Sequence, residues 1–217
     1  MKKIITLVLF LAAYNVYAQD GKPKSIINDR FLKKLHGTQM IFDGGYITGD
    51  IKNTTTQGGT FSFGVVINDF WYAGLNFDFF NSRSIRVDSF PVVNPRYTYS
   101  SYTLNNEFII GGNYFITASL PVQFGVGYAN YYDKYSDNNQ RKSIADDVFF
   151  VAEGGATVYI NFLKNVSLGG GVKYRWVTDV QQVGENEDFN NYSIQAKLRF
   201  RFFTESEKDK TNKGTDL

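Results

Sequence analysis

Tyr192-Ser193-Ile194-Gln195-Ala196-Lys197-Leu198-Arg199-Phe200-Arg201-Phe202 alternates without a break. Tyr192, Ile194, Ala196, Leu198, Phe200 and Phe202 fall on one parity; Ser193, Gln195, Lys197, Arg199 and Arg201 fall on the other. Successive side chains of a strand point to opposite faces. The stretch therefore predicts a strand with one apolar face and one face carrying three cations. In a soluble sheet the apolar face is buried and the charges meet water. In lipid the polarity is reversed, and the rest of the chain favours that case.

Lys2 and Lys3 precede an apolar run from Ile4 to Ala13, and Val16-Tyr17-Ala18 places a small residue at a cleavage point. Residues 1–18 predict a secretory signal peptide, cut near Ala18. The run falls short of the roughly 20 apolar residues a spanning helix needs, and no later segment approaches that length. A membrane span in this chain must be built from strands. The 217 residues contain no Cys, carry a net charge of +2, and include 15 Tyr and 20 Phe. This charge balance gives no electrostatic footprint for nucleic acid. Tyr suits a water–lipid boundary. A mean hydropathy of −0.28 agrees with a barrel that is apolar only on alternate residues of its strands.

The pattern recurs eight times: at about 39–50, 60–68, 71–83, 104–116, 122–135, 148–161, 166–178 and 190–203. Short links at 68–70, 117–121 and 162–165 alternate with longer polar ones at 51–59, 84–103, 136–147 and 179–189. Short turns on one side, long loops on the other and an even strand number describe an all-β, eight-stranded antiparallel transmembrane up-and-down barrel with no open edge. The chain divides into the signal peptide (1–18), a lead-in on the periplasmic side (19–38), the barrel (39–203) and a polar tail (204–217).

The parity opposite the apolar face carries Asp43, Asp78, Glu107, Gln123, Glu153, Lys173, Arg175, Lys197, Arg199 and Arg201, with many glycines between. Small residues and scattered charges suit a narrow packed lumen; a soluble ligand cup of the lipocalin kind needs a wide apolar lining. Counting from the 162–165 turn sets Glu153 level with Lys173 and Arg175. Asp43 on the first strand faces Arg199 and Arg201 on the last, where the barrel must close. Asp43, Glu107, Glu153, Lys173, Arg175, Lys197, Arg199 and Arg201 are thus a candidate lumen charge network, structural or gating, because unpaired buried charges are costly. Trp71, Tyr72, Tyr114, Phe115, Tyr159 and Phe162 near the short turns, and Tyr131, Tyr132, Trp176 and Tyr192 near the long loops, read as two interfacial belts. Phe90, Tyr97, Tyr99 and Tyr102 in the second long loop are a candidate partner-contact surface.

Phe61-Ser62-Phe63-Gly64, Ala73-Gly74-Leu75-Asn76-Phe77, Gly111-Gly112-Asn113-Tyr114-Phe115, Phe124-Gly125-Val126-Gly127-Tyr128 and the closing Lys197-Leu198-Arg199-Phe200-Arg201-Phe202 resemble the OmpA/OmpX-like eight-stranded outer-membrane β-barrels, in the stand-alone form common in Bacteroidetes. Barrels of this type often end on an aromatic residue; here a polar tail follows Phe203. The resemblance implies a Gram-negative outer-membrane location and a structural or surface-interaction role displaying four extracellular loops. An accessory subunit docked on a larger outer-membrane complex and a narrow gated channel are the alternatives. Eight strands leave an interior just wide enough for side chains, which disfavours a diffusion pore. The expected partners are outer-membrane lipid and lipopolysaccharide, the barrel insertion machinery, and another envelope or host protein. No cofactor, metal or enzymatic activity is expected. The single His, His36, precedes the first strand, and the glycine runs at 154–155 and 169–171 open no helix.

Overall fold

The computed structural model describes residues 39–67, 70–82, 95–111, 115–133, 142–163 and 165–203. The expected signal peptide, lead-in and tail lie outside the described residues, as do His36, Phe90, Asn113 and Tyr114. Eight strands follow in order: β1 (Gln39–Ile51), β2 (Thr54–Ile67), β3 (Trp71–Ser82), β4 (Pro95–Ile110), β5 (Ile116–Asp133), β6 (Lys142–Asn161), β7 (Val166–Thr178) and β8 (Tyr192–Phe203). Each pairs antiparallel with its sequence neighbour, and β1 pairs with β8, so the sheet is a closed barrel.

The alternation in β8 sets its faces. Ser193, Gln195, Lys197, Arg199 and Arg201 are buried, while Ile194, Leu198, Phe200 and Phe202 are exposed. The same parity runs around the wall through Phe61, Leu75, Leu104, Phe124, Phe150 and Leu168, all exposed. A continuous apolar exterior around a charged interior suits hydrocarbon and is unsuited to water. Trp71, Phe115 and Phe162 stand exposed at one end. At the other, Tyr174 packs edge-on against Trp176 and Tyr192, at centroid distances of 4.6 and 4.7 Å.

The strand limits correct the sequence reading in four places, one of them β6, which begins at Lys142 inside the link expected at 136–147. The expected long link at 51–59 is a two-residue hairpin at Lys52 and Asn53, with φ of 52° and 56°. Two left-handed residues match the turn type that follows the twist of the paired strands. The β-branched Thr54, Thr55 and Thr56 continue β2 instead of forming a loop. A further correction concerns β4, which begins at Pro95, so Tyr97, Tyr99 and Tyr102 are strand residues. Finally, the link between β4 and β5 falls at 111–115, and Ile116 opens β5. Pro121, expected in that turn, lies inside β5 opposite Glu107. Its pairing to β6 lapses across Leu120 and Pro121, as a residue without an N–H requires.

β5 and β6 have 18 and 20 residues, against the roughly 9–11 that cross a bilayer. The excess projects on the long-loop side, where the outward residues turn polar: Thr98, Ser100, Asn130, Ser143 and Asp146.

At the closing seam Gly45 lies opposite Lys197. A Cβ on Gly45 would overlap the Ala196 carbonyl oxygen and sit 2.8 Å from Lys197 Cα, whereas one on Gly44 meets nothing within 4 Å. Gly45→Ala should therefore destabilise the barrel by about 1–3 kcal/mol through overpacking, with Gly44→Ala near neutral. Urea unfolding of the two variants in vesicles checks this; equal midpoints would contradict the seam geometry.

Candidate functional site: a charged interior beneath a plugged mouth

The interior is layered. Next to the short turns, Arg201 donates to Asn161 Oδ1 at 2.9 Å, and Ser167 donates to the same oxygen at 2.6 Å. One layer up, Arg199 and Asp43 face each other across the seam. Arg199 Nε and Nη2 each donate to an Asp43 oxygen at 2.8 Å, and Nη2 also reaches Glu107 Oε1 at 2.7 Å. The guanidinium lies 3.9 Å from the centre of the Tyr159 ring. Ser62 and Tyr159 hydroxyls point at Asp43 Oδ2 from 3.3 Å. A bidentate fork with its open face stacked on an aromatic ring is the arrangement in which buried Arg is best compensated.

Above this, Lys173 Nζ bridges Asp78 and Glu153, the latter at 2.6 Å. Lys197 is buried between the two clusters and forms no direct ion pair among the described residues. Arg175 is opposite Glu153 in register. It forms no ion pair among the described residues either; its guanidinium lies against the rings of Tyr99 and Phe80, 4.5 and 5.0 Å from their centres.

The candidate network therefore consists of two separate clusters, Arg199–Asp43–Glu107 and Lys173–Asp78–Glu153. Arg201 is bound to Asn161 and not to Asp43. Asp78, placed on the inward face by parity but left out of the candidate network, and Tyr159, read as a boundary aromatic, both enter the clusters. Among the described residues, no group of His, Cys, Asp and Glu is placed to hold a metal ion.

The upper third of the lumen is apolar. Ile47, Ile51, Phe80, Tyr97, Tyr99, Tyr131, Phe149, Val151 and Val177 form one buried cluster with Val183 and Phe189. The last two belong to the connection between β7 and β8, which carries a short 3-10 helix, Asn186–Asp188. This loop folds down into the barrel, and both side chains are fully buried. Two polar anchors tie it to elements other than its own flanking strands. Asp147 Oδ2 accepts the amides of Gln181, Gln182 and Val183 at 3.1, 2.5 and 2.8 Å. Across the mouth, Lys52 donates its amide to the Asp188 carbonyl at 2.8 Å and pairs with the Asp188 carboxylate at 3.0 Å.

Tyr97 and Tyr99, expected in a partner-contact loop, line this inner cluster instead, and Tyr102 faces outward on the wall at 47 % exposure. There it borders a shallow groove of about 470 Å³ with Gly59, Phe79, Ser100 and Tyr128. Tyr72, Tyr131 and Tyr159, expected in the interfacial belts, also point inward. These aromatics follow the strand alternation, but on the inward parity. The plug leaves one signal in the sequence: Val148-Phe149-Phe150-Val151 is apolar on both parities, as a strand buried on its inner face against a loop must be.

Asp147→Ala removes an acceptor shared by three amides. Hydrogen bonds to a charged group contribute about 1.5–3 kcal/mol each, so amide exchange at Gln181–Val183 should accelerate strongly while the β1–β8 seam stays protected. Unchanged exchange would show that the loop is held by packing alone.

The barrel itself has known counterparts. No family model and no curated protein matches the chain, but solved structures do. Ail, the attachment invasion locus protein of Yersinia pestis, superposes with a TM-score of 0.50 at 16 % identity, over 76 % of this chain and 99 % of that one. OprG, an outer membrane protein of Pseudomonas aeruginosa, gives 0.51 at 13 % identity over 77 % and 97 %. A major outer membrane protein from Thermus thermophilus gives 0.52 at 12 % identity over 77 % and 100 %. The fold is that of the eight-stranded outer-membrane β-barrels. At these identities the likeness concerns the barrel itself. The ion clusters, the Asp147 anchor and the plugged mouth are properties of this chain's own residues.

Proposed function

We propose that the chain is an OmpA/OmpX-like protein of the Gram-negative outer membrane, exported by its N-terminal signal, with a structural or surface-interaction role. The observation that carries the proposal is the combination of an apolar outer wall and an interior filled along its length. The lower lumen is occupied by paired charges and the mouth by Val183 and Phe189. A barrel packed in this way offers its surroundings the projecting ends of β4, β5 and β6 and the long connections between strands. The attachment for which Ail, the attachment invasion locus protein, is named supports a surface-interaction reading.

An epitope tag inserted in the 83–94 connection should be reached by antibody on intact cells, and a tag at 68–69 only after lysis; the reverse would overturn the assignment of sides. The protein should also migrate differently on gels before and after boiling. Planar-bilayer recordings are expected to be silent, and a resolved unit conductance would favour a channel. In-membrane cross-linking that captures one stoichiometric outer-membrane protein would favour an accessory subunit.

A further inference from the structure

The mouth loop occupies a compartment whose chemistry it does not complete. Arg175 is fully buried, and none of its three guanidinium nitrogens makes a hydrogen bond of good geometry among the described residues; the Tyr99 hydroxyl is a polar group within its reach. The rings of Tyr99 and Phe80 lie against it, and a guanidinium carries its N–H groups in plane, in the fork that matches a carboxylate. Its register partner Glu153 is held through Oε2 by Lys173. The hydroxyls of Tyr97, Tyr99 and Ser101, all on the upper part of β4, are buried and make no hydrogen bond of good geometry either, with that of Tyr99 lying between Ser101 and Arg175. Buried donors of this kind are normally satisfied, and here they cluster beside a cation.

Phe189 is the tenant of the same compartment. Its ring centre lies 5.1 Å from that of Phe149, 6.1 Å from Tyr97 and 6.2 Å from Tyr99. Tyr99 thus touches both the loop's ring and the unsatisfied guanidinium. The compartment presents aromatic walls and a cationic fork; its occupant supplies a ring and no anion.

We propose that the barrel mouth is a binding site for a small aromatic carboxylate, which replaces the Phe189 ring and lays its carboxylate on Arg175. A charge-assisted bidentate bond would satisfy the fork, and the ring would keep the contacts that Phe189 makes. A neutral aromatic compound gains only the walls, and an aliphatic acid only the fork. Entry requires the loop to lift, and its polar anchors, Asp147 and the Lys52–Asp188 pair, sit at its edges. A segment held in this way opens locally at lower cost than the strands below it. The inference rests on the mouth geometry and does not depend on the surface role proposed above.

The test uses the full chain in detergent micelles, with benzoate as probe and the amide NMR signals of the 181–189 segment as readout. Each variant is first checked for folding by its heat-dependent gel mobility. Phe189→Ala removes the internal competitor and should bind benzoate saturably, about tenfold or more tighter than the parent, because the competent state no longer has to be uncovered. Adding Arg175→Met should abolish this binding. Should that double variant fail to fold, benzamide and acetate titrated into Phe189→Ala make the same distinction, and neither should saturate. Asp147→Asn, with Phe189 kept, should also tighten benzoate binding. Absence of saturable benzoate binding to Phe189→Ala, equal binding of benzoate and benzamide, or no effect of Asp147→Asn would each overturn the proposal.

Discussion

Arg199→Ala is expected to lower the stability of the barrel by about 3–5 kcal/mol, the range for breaking a buried ion pair from one side. Arg199 is fully buried and serves two acids at once. Its removal leaves Asp43 and Glu107 near each other, with the Ser62 and Tyr159 hydroxyls on Asp43 and Lys197 as a nearby cation that makes no direct pair with either. The pair also crosses the β1–β8 seam, joining residues 156 positions apart, so the loss falls where the sheet closes. Arg201→Ala is the internal comparison. That residue lies at the short-turn end and makes one hydrogen bond to Asn161, so its removal should cost no more than about 1.5–3 kcal/mol. Urea titration in lipid vesicles, followed by tryptophan fluorescence, measures both. A triple variant, Arg199→Met with Asp43→Asn and Glu107→Gln, should recover much of the loss, because it removes the whole charged cluster instead of stranding half of it. If Arg199→Ala and Arg201→Ala unfold together, the seam pair is not what closes the barrel.

Leu198→Arg is expected to impair insertion by about 2–4 kcal/mol, the cost of a cation on the lipid face near the bilayer midplane. Leu198 is one residue from Arg199 and on the opposite face, exposed at 43 % and level with Gly44 and Leu168 on the neighbouring strands. In a soluble protein an exposed Leu→Arg change stays within about 0.5 kcal/mol. The same substitution thus separates a lipid-facing wall from a solvated one. Tyr192→Arg, at the upper aromatic belt, should cost about 0–1 kcal/mol. Folding yield into vesicles of graded chain length measures the pair. Insertion of Leu198→Arg at parental yield would contradict the orientation on which the membrane reading rests.

Much of this architecture is legible without coordinates because a strand has a period of two. Lys197-Leu198-Arg199-Phe200 can place its charges and its apolar groups only on opposite faces. Once a secretory leader is read ahead of eight such segments, lipid outside and charge inside follow. The inward set Asp43, Glu107, Glu153, Lys173, Arg175 and Arg199 can be named from parity alone. Parity does not give height, however, and pairing across the lumen depends on height. Asp78 is therefore not assigned a partner from sequence although it shares Lys173 with Glu153, and Arg201 aligns with Asp43 on paper although it ends beside Asn161. Parity also fails where both faces are apolar. Tyr97, Tyr99, Tyr131 and Tyr159 read as loop or boundary aromatics because tyrosine suits an interface, but in the fold they line the interior.

The sequence by itself determined the eight alternating segments, their closure without a free edge and the face on which each charge lies. These are local properties, set by side-chain order and by the need to satisfy every backbone group in lipid. The tertiary structure alone decided which acid meets which base, and that the 179–191 loop folds inward on Asp147 to bury Phe189 above Arg175. Those outcomes depend on barrel stagger and on contacts between residues tens to more than a hundred positions apart, and no local pattern encodes the distance between two side chains on opposite sides of a lumen.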